Sequence, residues 1–324
     1  MDRKNILVTG GAGFIGSHLV RRLLSDNIWN VTVFDDFNEF YSPEIKRENI
    51  REFDGNENLK VFEGDICSSE TVEKVFGAGD FDVIVHLAAW AGVRPSLLNP
   101  KLYAQVNVSG TLNLLEAAKD HSVKQFVFGS SSSVYGSRCE VPFSETDVIQ
   151  NPISPYAATK AAGELLCHTY SHLYDLRTVC LRFFTVYGAS QRPDLAIHKF
   201  SKLIAEGKPI PVFGDGKTRR DYTYVDDIIH GVRAAIDYDK TPNEVFNLGE
   251  SQTVELNELI RLLEENLEKK AIIDRQPMQP GDVPQTFADI SKARELLGYN
   301  PQTKIAEGIT KFVKWFKKQN PERF

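Results

Sequence analysis

Residues 6–24 read ILVTGGAGFIGSHLVRRLL, and they limit the fold more tightly than any other stretch of the chain. Three apolar residues, Ile6, Leu7 and Val8, predict a strand, and Ile15, Leu19, Leu23 and Leu24 recur at helical spacing beyond the glycines at 10, 11, 13 and 16. A strand that turns on glycines into a helix lets the backbone approach a pyrophosphate, whose charge then sits at the helix N-terminus. Gly10, Gly13 and Gly16, with Phe14 and Ile15 between them, form the candidate cradle.

Glycine spacing alone also serves structural turns, so the next strand carries the argument. VTVFDD ends in Asp35, about 20 residues past the cradle, where a carboxylate accepts the hydroxyls of an adenosine ribose. Asp36 follows, no arginine adjoins the pair in sequence, and two carboxylates repel a 2′-phosphate. NAD is therefore expected over NADP. After the third apolar run, Gly64-Asp65-Ile66 is expected to bring Asp65 and Ile66 to the adenine.

Up to residue 187 short apolar runs alternate with helical segments, which predicts βαβ units and a doubly wound parallel α/β sheet covered on both faces. Beyond Gly188 come Pro193, Pro209, Pro211 and the segment FGDGKTRRDY, then amphipathic patterns at 257–269 and 305–318. The expected division is a Rossmann domain over 1–187, joined by returning segments near 223–256, and a smaller, interleaved α/β substrate domain over 188–324. Residues 223–227 and 245–249 look like strand ends that return to the first domain.

The 324 residues carry 38 Lys and Arg against 44 Asp and Glu, a net charge of −6 that disfavours nucleic acid or an anionic membrane as partner. The first residues contain no signal-peptide core, and no uncharged apolar run approaches bilayer length, so a cytoplasmic protein is expected. Cys67, Cys139, Cys167 and Cys180 show no Cys-x-x-Cys spacing and are expected as free thiols. His168 and His172 have helical metal spacing but no accompanying ligand, so no metal is expected.

Tyr156 and Lys160 stand four apart in SPYAATKAAGELL, on one face of a predicted helix. A neighbouring ammonium and a positive nicotinamide ring would lower a phenol whose ordinary pKa is about 10. Upstream, FGSSSSVYG sets four serines directly after an apolar strand.

Together, TGGAGFIGSHL, HLAAWAGVRPS, SSSSVYG, SPYAATK, RFFTVYG, RRDYTYVDD and PGDVPQTFADISKARELLGY resemble the extended short-chain dehydrogenase/reductase family, in its nucleotide-sugar epimerase branch, over essentially the whole chain. Within that branch FNEFYSPEIKRENI, AGVRPS, RFFTVYG and QRPDLAIHKF are most similar to UDP-glucuronate 4-epimerases. The resemblance implies a Ser131-Tyr156-Lys160 triad, 4-epimerisation through a transient 4-keto sugar, tightly bound and recycled NAD, and a homodimer. It carries Leu87, Ala88, Ala89 and Asn107, with Tyr156 and Lys160, to the cofactor.

On the substrate side it implies Arg94, Ser132, Ser133, Thr185, Arg192, Arg220 and Asp282. The related 4,6-dehydratases and UDP-glucuronate decarboxylases carry acidic residues just after the catalytic hydroxyl, where Ser132 and Ser133 stand here. UDP-galactose 4-epimerases have asparagine in place of Thr185. Both features favour a substrate carboxylate that is held and kept. UDP-glucose/galactose 4-epimerase is the alternative, and the decarboxylase a lesser one. Val212 and Phe213 in PVFGDG are expected to hold uracil through backbone groups, Arg192 and Arg220 the diphosphate, and Asp282 a ribose or an arginine. Two departures stand out: Trp90 replaces an expected glutamine, and the arginine expected before Gly281-Asp282 is absent, leaving Arg275 as a substitute.

Overall fold

The structure, a computed structural model, describes residues 3–278 and 281–324. Its strands are β1 (Lys4–Thr9), β2 (Trp29–Asp35), β3 (Leu59–Glu63), β4 (Val83–His86), β5 (Gln125–Ser131), β6 (Arg177–Phe183), β7 (Thr185–Tyr187), β8 (Pro209–Phe213), β9 (Arg219–Tyr224), β10 (Asn243–Leu248), β11 (Thr253–Glu255) and β12 (Ile272–Gln276). Seven of them form one parallel sheet in the order β3-β2-β1-β4-β5-β6-β10.

Side chains of a strand alternate between faces, so each central strand feeds two cores. Ile6, Val8, Val33, Val85 and Val127 pack with Leu19 and Leu23 of the helix Phe14–Asp26. Leu7, Phe34, Ile84, Phe126 and Phe128 pack on the other side with Leu114 and Leu115 of the helix Thr111–Asp120. The chain runs outward one way from β1 to β3 and the other way from β4, which opens a crevice beyond the strand C-termini where the order reverses.

Two small sheets, β11-β9-β7 and the parallel pair β12-β8, are built from strands that follow β6, with β10 of the large sheet interleaved among them. The two expected returning segments behave differently. Residues 245–248 lie in β10 and pair with β6 in the large sheet, Phe246 opposite Leu181. Thr223 instead belongs to β9, where Val186 of β7 pairs with it, and Val225 begins the helix Val225–Ile236. That helix, not a strand, returns to the first domain: Arg233 donates to Asp26 at 2.6 Å, in the helix of the glycine turn.

The helical stretch that leads into β5 is divided. Pro100–Ala104 is α-helical, Gln105–Gly110 widens into a π-helix, and Thr111–Asp120 resumes the α-helix. Within the widened turn Thr111 Oγ1 donates to the Asn107 carbonyl at 2.7 Å, and the Asn107 side chain turns inward. His86 at the end of β4 bridges Thr9 at 2.7 Å and Thr111 at 2.9 Å, and burial lowers its pKa to about 3, so it ties β1, β4 and this turn together as a neutral group.

Candidate active site

The crevice holds a cavity of about 480 Å³, lined from the glycine turn to the serine run. At one end Gly13 N–H donates to the Gly10 carbonyl at 3.0 Å, closing a turn with Gly10 at φ +69°. A Cβ on Gly16 would lie 2.1 Å from the Gly10 carbonyl oxygen, and one on Gly10 only 2.7 Å from Ala88 N. The turn thus brings bare backbone to the head of the helix Phe14–Asp26, as a dinucleotide pyrophosphate requires. Gly16→Ala is expected to abolish cofactor retention and lower the thermal midpoint, since the new methyl must displace backbone; absorbance of released nucleotide and a melting curve check both.

Asp35 accepts from Ala12 N–H at 3.1 Å and Phe37 N–H at 2.9 Å, one bond per oxygen, so each keeps a lone pair for a ribose hydroxyl. Burial raises its pKa, opposed by those backbone bonds and by Lys46. Two cations that sequence adjacency did not reveal stand near this end, but both are engaged. Lys46 donates to the Asn38 carbonyl and Oδ1 at 2.8 and 3.0 Å, while Arg47 pairs with Glu63 at 2.9 Å. Phe14, Ile15, Ile66, Leu87, Ala88 and Ala89 also line the cavity.

Two expected cofactor residues lie elsewhere. Asp65 Oδ1 accepts the Cys67 N–H at 2.8 Å, so this carboxylate caps its own turn while Gly64 and Ile66 form the wall. Asn107 is buried behind the wall. Its amide accepts the Trp90 N–H and donates to the Trp90 carbonyl, both at 2.9 Å, and reaches Thr159 Oγ1 at 3.1 Å. Asn107 therefore positions the residues that line the cavity.

At the other end β5 stops at Ser131, and the helix Pro155–Tyr174 starts with Ser154 Oγ accepting the Ala157 N–H at 3.1 Å, with Pro155 in its first turn. That start aims Tyr156 into the cavity and puts Lys160 one turn below. Lys160 Nζ donates to the Gly129 carbonyl at 2.7 Å, and burial lowers its pKa to about 8. The expected lowering of the Tyr156 phenol does not arise from the protein itself: burial raises its pKa, while the Ser131 side chain and the charge of Arg192 pull it back. The ammonium is directed to Gly129, so the charge near the phenol is that of Arg192.

Ser132, Ser133 and Thr185 line the cavity beside this pair. Ser133 N–H donates to Ser131 Oγ at 3.2 Å, and buried Ser133 Oγ has no hydrogen-bond partner among the described residues. Ser130 turns the other way and donates to Glu164 at 2.5 Å. Glu164 pairs with Arg182 at 2.8 and 3.0 Å, and Arg182 reaches the Tyr135 hydroxyl at 2.9 Å.

Arg192 lies at the Tyr156 end of the cavity. Asp194 holds its guanidinium at 2.7 and 3.0 Å, Phe40 lies beneath it at 4.8 Å, and its charge acts on Tyr41, Tyr103 and Tyr156. The distal end has its own cation cluster. Arg220, its pKa lowered by burial, and Asp282 line the cavity there, while Arg94 stands behind the lining, donating to Asp282 at 2.6 Å and stacking on Phe213 at 4.3 Å.

Val212 is fully buried in the core, its strand paired with β12, so its side chain takes no part in the lining; Phe213 serves as the platform for Arg94. Arg275 reaches the Gly214 carbonyl at 3.3 Å and does not line the cavity. Gln279 and Pro280, where the missing arginine would stand, lie outside the described residues. Sequence reasoning gave no role to Phe40, Tyr41 or Glu164, although FNEFYSPEIKRENI and SPYAATKAAGELL contain them: the first two reach the cavity from the loop after β2, and Glu164 faces Arg182 instead.

A family model described as GDP-mannose 4,6 dehydratase matches residues 7–312. A UDP-glucuronate 4-epimerase of Thermodesulfobacterium geofontis is 42% identical over 96% of this chain and 95% of its own. UDP-glucuronate 4-epimerase 4 of Arabidopsis thaliana is 43% identical over 96% of this chain and 75% of its own. The crystal structure of UDP-glucuronic acid 4-epimerase from Bacillus cereus, in complex with UDP-glucuronic acid and NAD, superposes with a TM-score of 0.92 at 39% identity, over 97% of this chain and 99% of that one. With the parallel sheet shared by that structure and the family model matched over nearly the whole length, the chain belongs to the GDP-mannose 4,6-dehydratase family of extended short-chain dehydrogenases/reductases.

Proposed function

We propose that this protein is an NAD-dependent UDP-glucuronate 4-epimerase, interconverting UDP-glucuronate and UDP-galacturonate. One observation carries the reading: the acidic residues lining the cavity are Asp35, Asp36 and Asp282, all away from Tyr156, whereas Ser132, Ser133, Thr185 and the Arg192 cation gather beside it. Neutral donors and a cation suit a sugar bearing its own carboxylate. The named relatives and the Bacillus cereus complex support the same substrate and cofactor.

The cradle residues Gly10, Gly13 and Gly16, with Asp35, would hold NAD, which supplies a reversible hydride acceptor for C4 of the sugar. Tyr156 removes the 4-hydroxyl proton and later returns it, and Ser131 hydrogen-bonds the 4-oxygen throughout. Lys160, one turn below, binds the nicotinamide ribose. Arg94 and Arg220 hold the diphosphate, and residues 188–324 supply most of the uridine side.

The 4-keto uronate formed between the two steps is a β-keto acid that loses carbon dioxide by dispersing its carboxylate charge. Hydrogen bonds from Ser132, Ser133 and Thr185 and the charge of Arg192 stabilise that carboxylate where it is, which raises the barrier to its loss. Replacing both Ser132 and Ser133 by alanine should raise KM for UDP-glucuronate by about tenfold, one charged hydrogen bond's worth. The same change should leave KM for UDP-glucose nearly unmoved; steady-state kinetics on both substrates separate the cases.

The decisive assay incubates the purified protein with UDP-glucuronate and no added NAD. UDP-galacturonate is the expected product. A UDP-pentose with release of carbon dioxide, or no turnover, overturns the reading. We also assign a cytoplasmic homodimer: Leu112, Leu165, Leu173 and Tyr174 are exposed on the helices Thr111–Asp120 and Pro155–Tyr174, a surface a second copy would cover, and the four cysteines are unpaired.

A further inference from the structure

Trp90, the departure from the expected glutamine, has a side chain that the functional assignment leaves unused. Its direction is set by its backbone, because Asn107 grips both the N–H and the carbonyl at 2.9 Å. The indole lies edge-on to Phe40 at 5.1 Å and 75°, and to Tyr103 at 6.3 Å and 67°. Tyr103, fully buried and anchored to the Ala91 carbonyl at 2.8 Å, meets the Tyr156 ring at 6.3 Å and 84°. On its far side Phe40 carries the Arg192 guanidinium at 4.8 Å.

A continuous wall therefore runs Arg192–Phe40–Trp90–Tyr103–Tyr156. It joins the loop after β2, the loop after β4, the loop after β7 and the catalytic helix, and Phe40, Trp90, Tyr156 and Arg192 from it all face the cavity. Trp90 is its centre, and a glutamine there would break both aromatic contacts and leave a polar amide in their place. Edge-to-face ring pairs favour one geometry, so this wall couples the carboxylate-binding cation to the proton-transfer tyrosine.

We propose that Trp90 is a containment residue that keeps the 4-keto uronate in the cavity until hydride returns to it. The inference rests on the epimerase reading. In the first step Tyr156 takes the 4-hydroxyl proton and the C4–H electron pair passes to the nicotinamide. If the keto sugar departs before that pair returns, the protein keeps a reduced cofactor. The released keto acid then loses carbon dioxide and takes up a solvent proton at C5, becoming a UDP-4-keto-pentose. A loose wall would thus reveal itself as reduced nicotinamide accumulating during turnover.

The test compares the holoenzyme with Trp90→Gln and Trp90→Phe, each given UDP-glucuronate, recording reduced nicotinamide absorbance and carbon dioxide per UDP-galacturonate formed. Both readouts are ratios within one variant, so a loss of folded protein does not move them. Trp90→Gln should raise them about tenfold, the equivalent of about 1.4 kcal/mol and of two lost ring contacts, and Trp90→Phe should restore most of the difference. Ratios in Trp90→Gln equal to wild type, or a phenylalanine variant no better than the glutamine one, overturn the inference alone. Wild-type protein that makes no UDP-galacturonate overturns the epimerase reading and the inference with it.

Discussion

Tyr156→Phe should reduce turnover of UDP-glucuronate about a thousandfold while the purified protein keeps its dinucleotide. The cradle at Gly10, Gly13 and Gly16 and the Asp35 carboxylate lie at the opposite end of the cavity from the phenol, so removing one oxygen leaves them intact. The pH dependence gives a second reading of the same group. The protein's own environment raises the Tyr156 pKa by burial, and a base works only when deprotonated, so kcat/KM should climb as pH rises. Lys160, lowered to about 8 by burial, loses its charge above that pH and with it a positive partner for the nicotinamide ribose site, so the climb should level off there. Wild-type activity that is flat across this range, or an active phenylalanine variant, would remove Tyr156 from the role of base.

Arg182→Leu should cost about 3–5 kcal/mol of stability, because it strands the Glu164 carboxylate in the core. Both side chains are nearly sealed, at 4% and 6% exposure, and Glu164 has two bonds to the guanidinium plus one from Ser130. The double change with Glu164→Leu should recover much of the loss, since no unpaired charge then remains; denaturant titration of the three proteins measures both effects. This pair has a functional consequence as well. Glu164 is one turn beyond Lys160, and Ser130 is the first of the four serines, so the network fixes the end of β5 against the catalytic helix. Arg182→Leu should therefore lower kcat even in the fraction that remains folded.

The elements themselves could be read from local pattern. Runs such as Ile6, Leu7 and Val8 predicted the central strands, the 305–318 periodicity predicted the helix Ile305–Gln319, and the spacing of Tyr156 and Lys160 put both on the helix Pro155–Tyr174. Where reading failed, a group close in sequence found another partner in space. Asp65 capped Cys67, Asn107 turned inward from a widened helical turn to grip Trp90, and Thr223 ended a strand of a small sheet while the helix after it returned to the first domain.

Arg192 shows the division most plainly. The resemblance suggested a phosphate ligand, and the loop after β7 brings it over Phe40, a residue 152 positions earlier, with its charge acting on Tyr156. Hydrophobic periodicity and glycine spacing are local properties, governed by the geometry of one strand, one turn or one helix, and they sufficed for the parallel sheet and the cradle, whereas the Ser131-Tyr156-Lys160 triad was an implication of the family resemblance. Which charged and aromatic side chains meet across the crevice depends on the strand order β3-β2-β1-β4-β5-β6-β10 and on how three loops pack above it. Those contacts join residues far apart in the chain, where no local spacing rule applies, and so the wall around Trp90 and the cation beside the catalytic tyrosine came from tertiary packing alone.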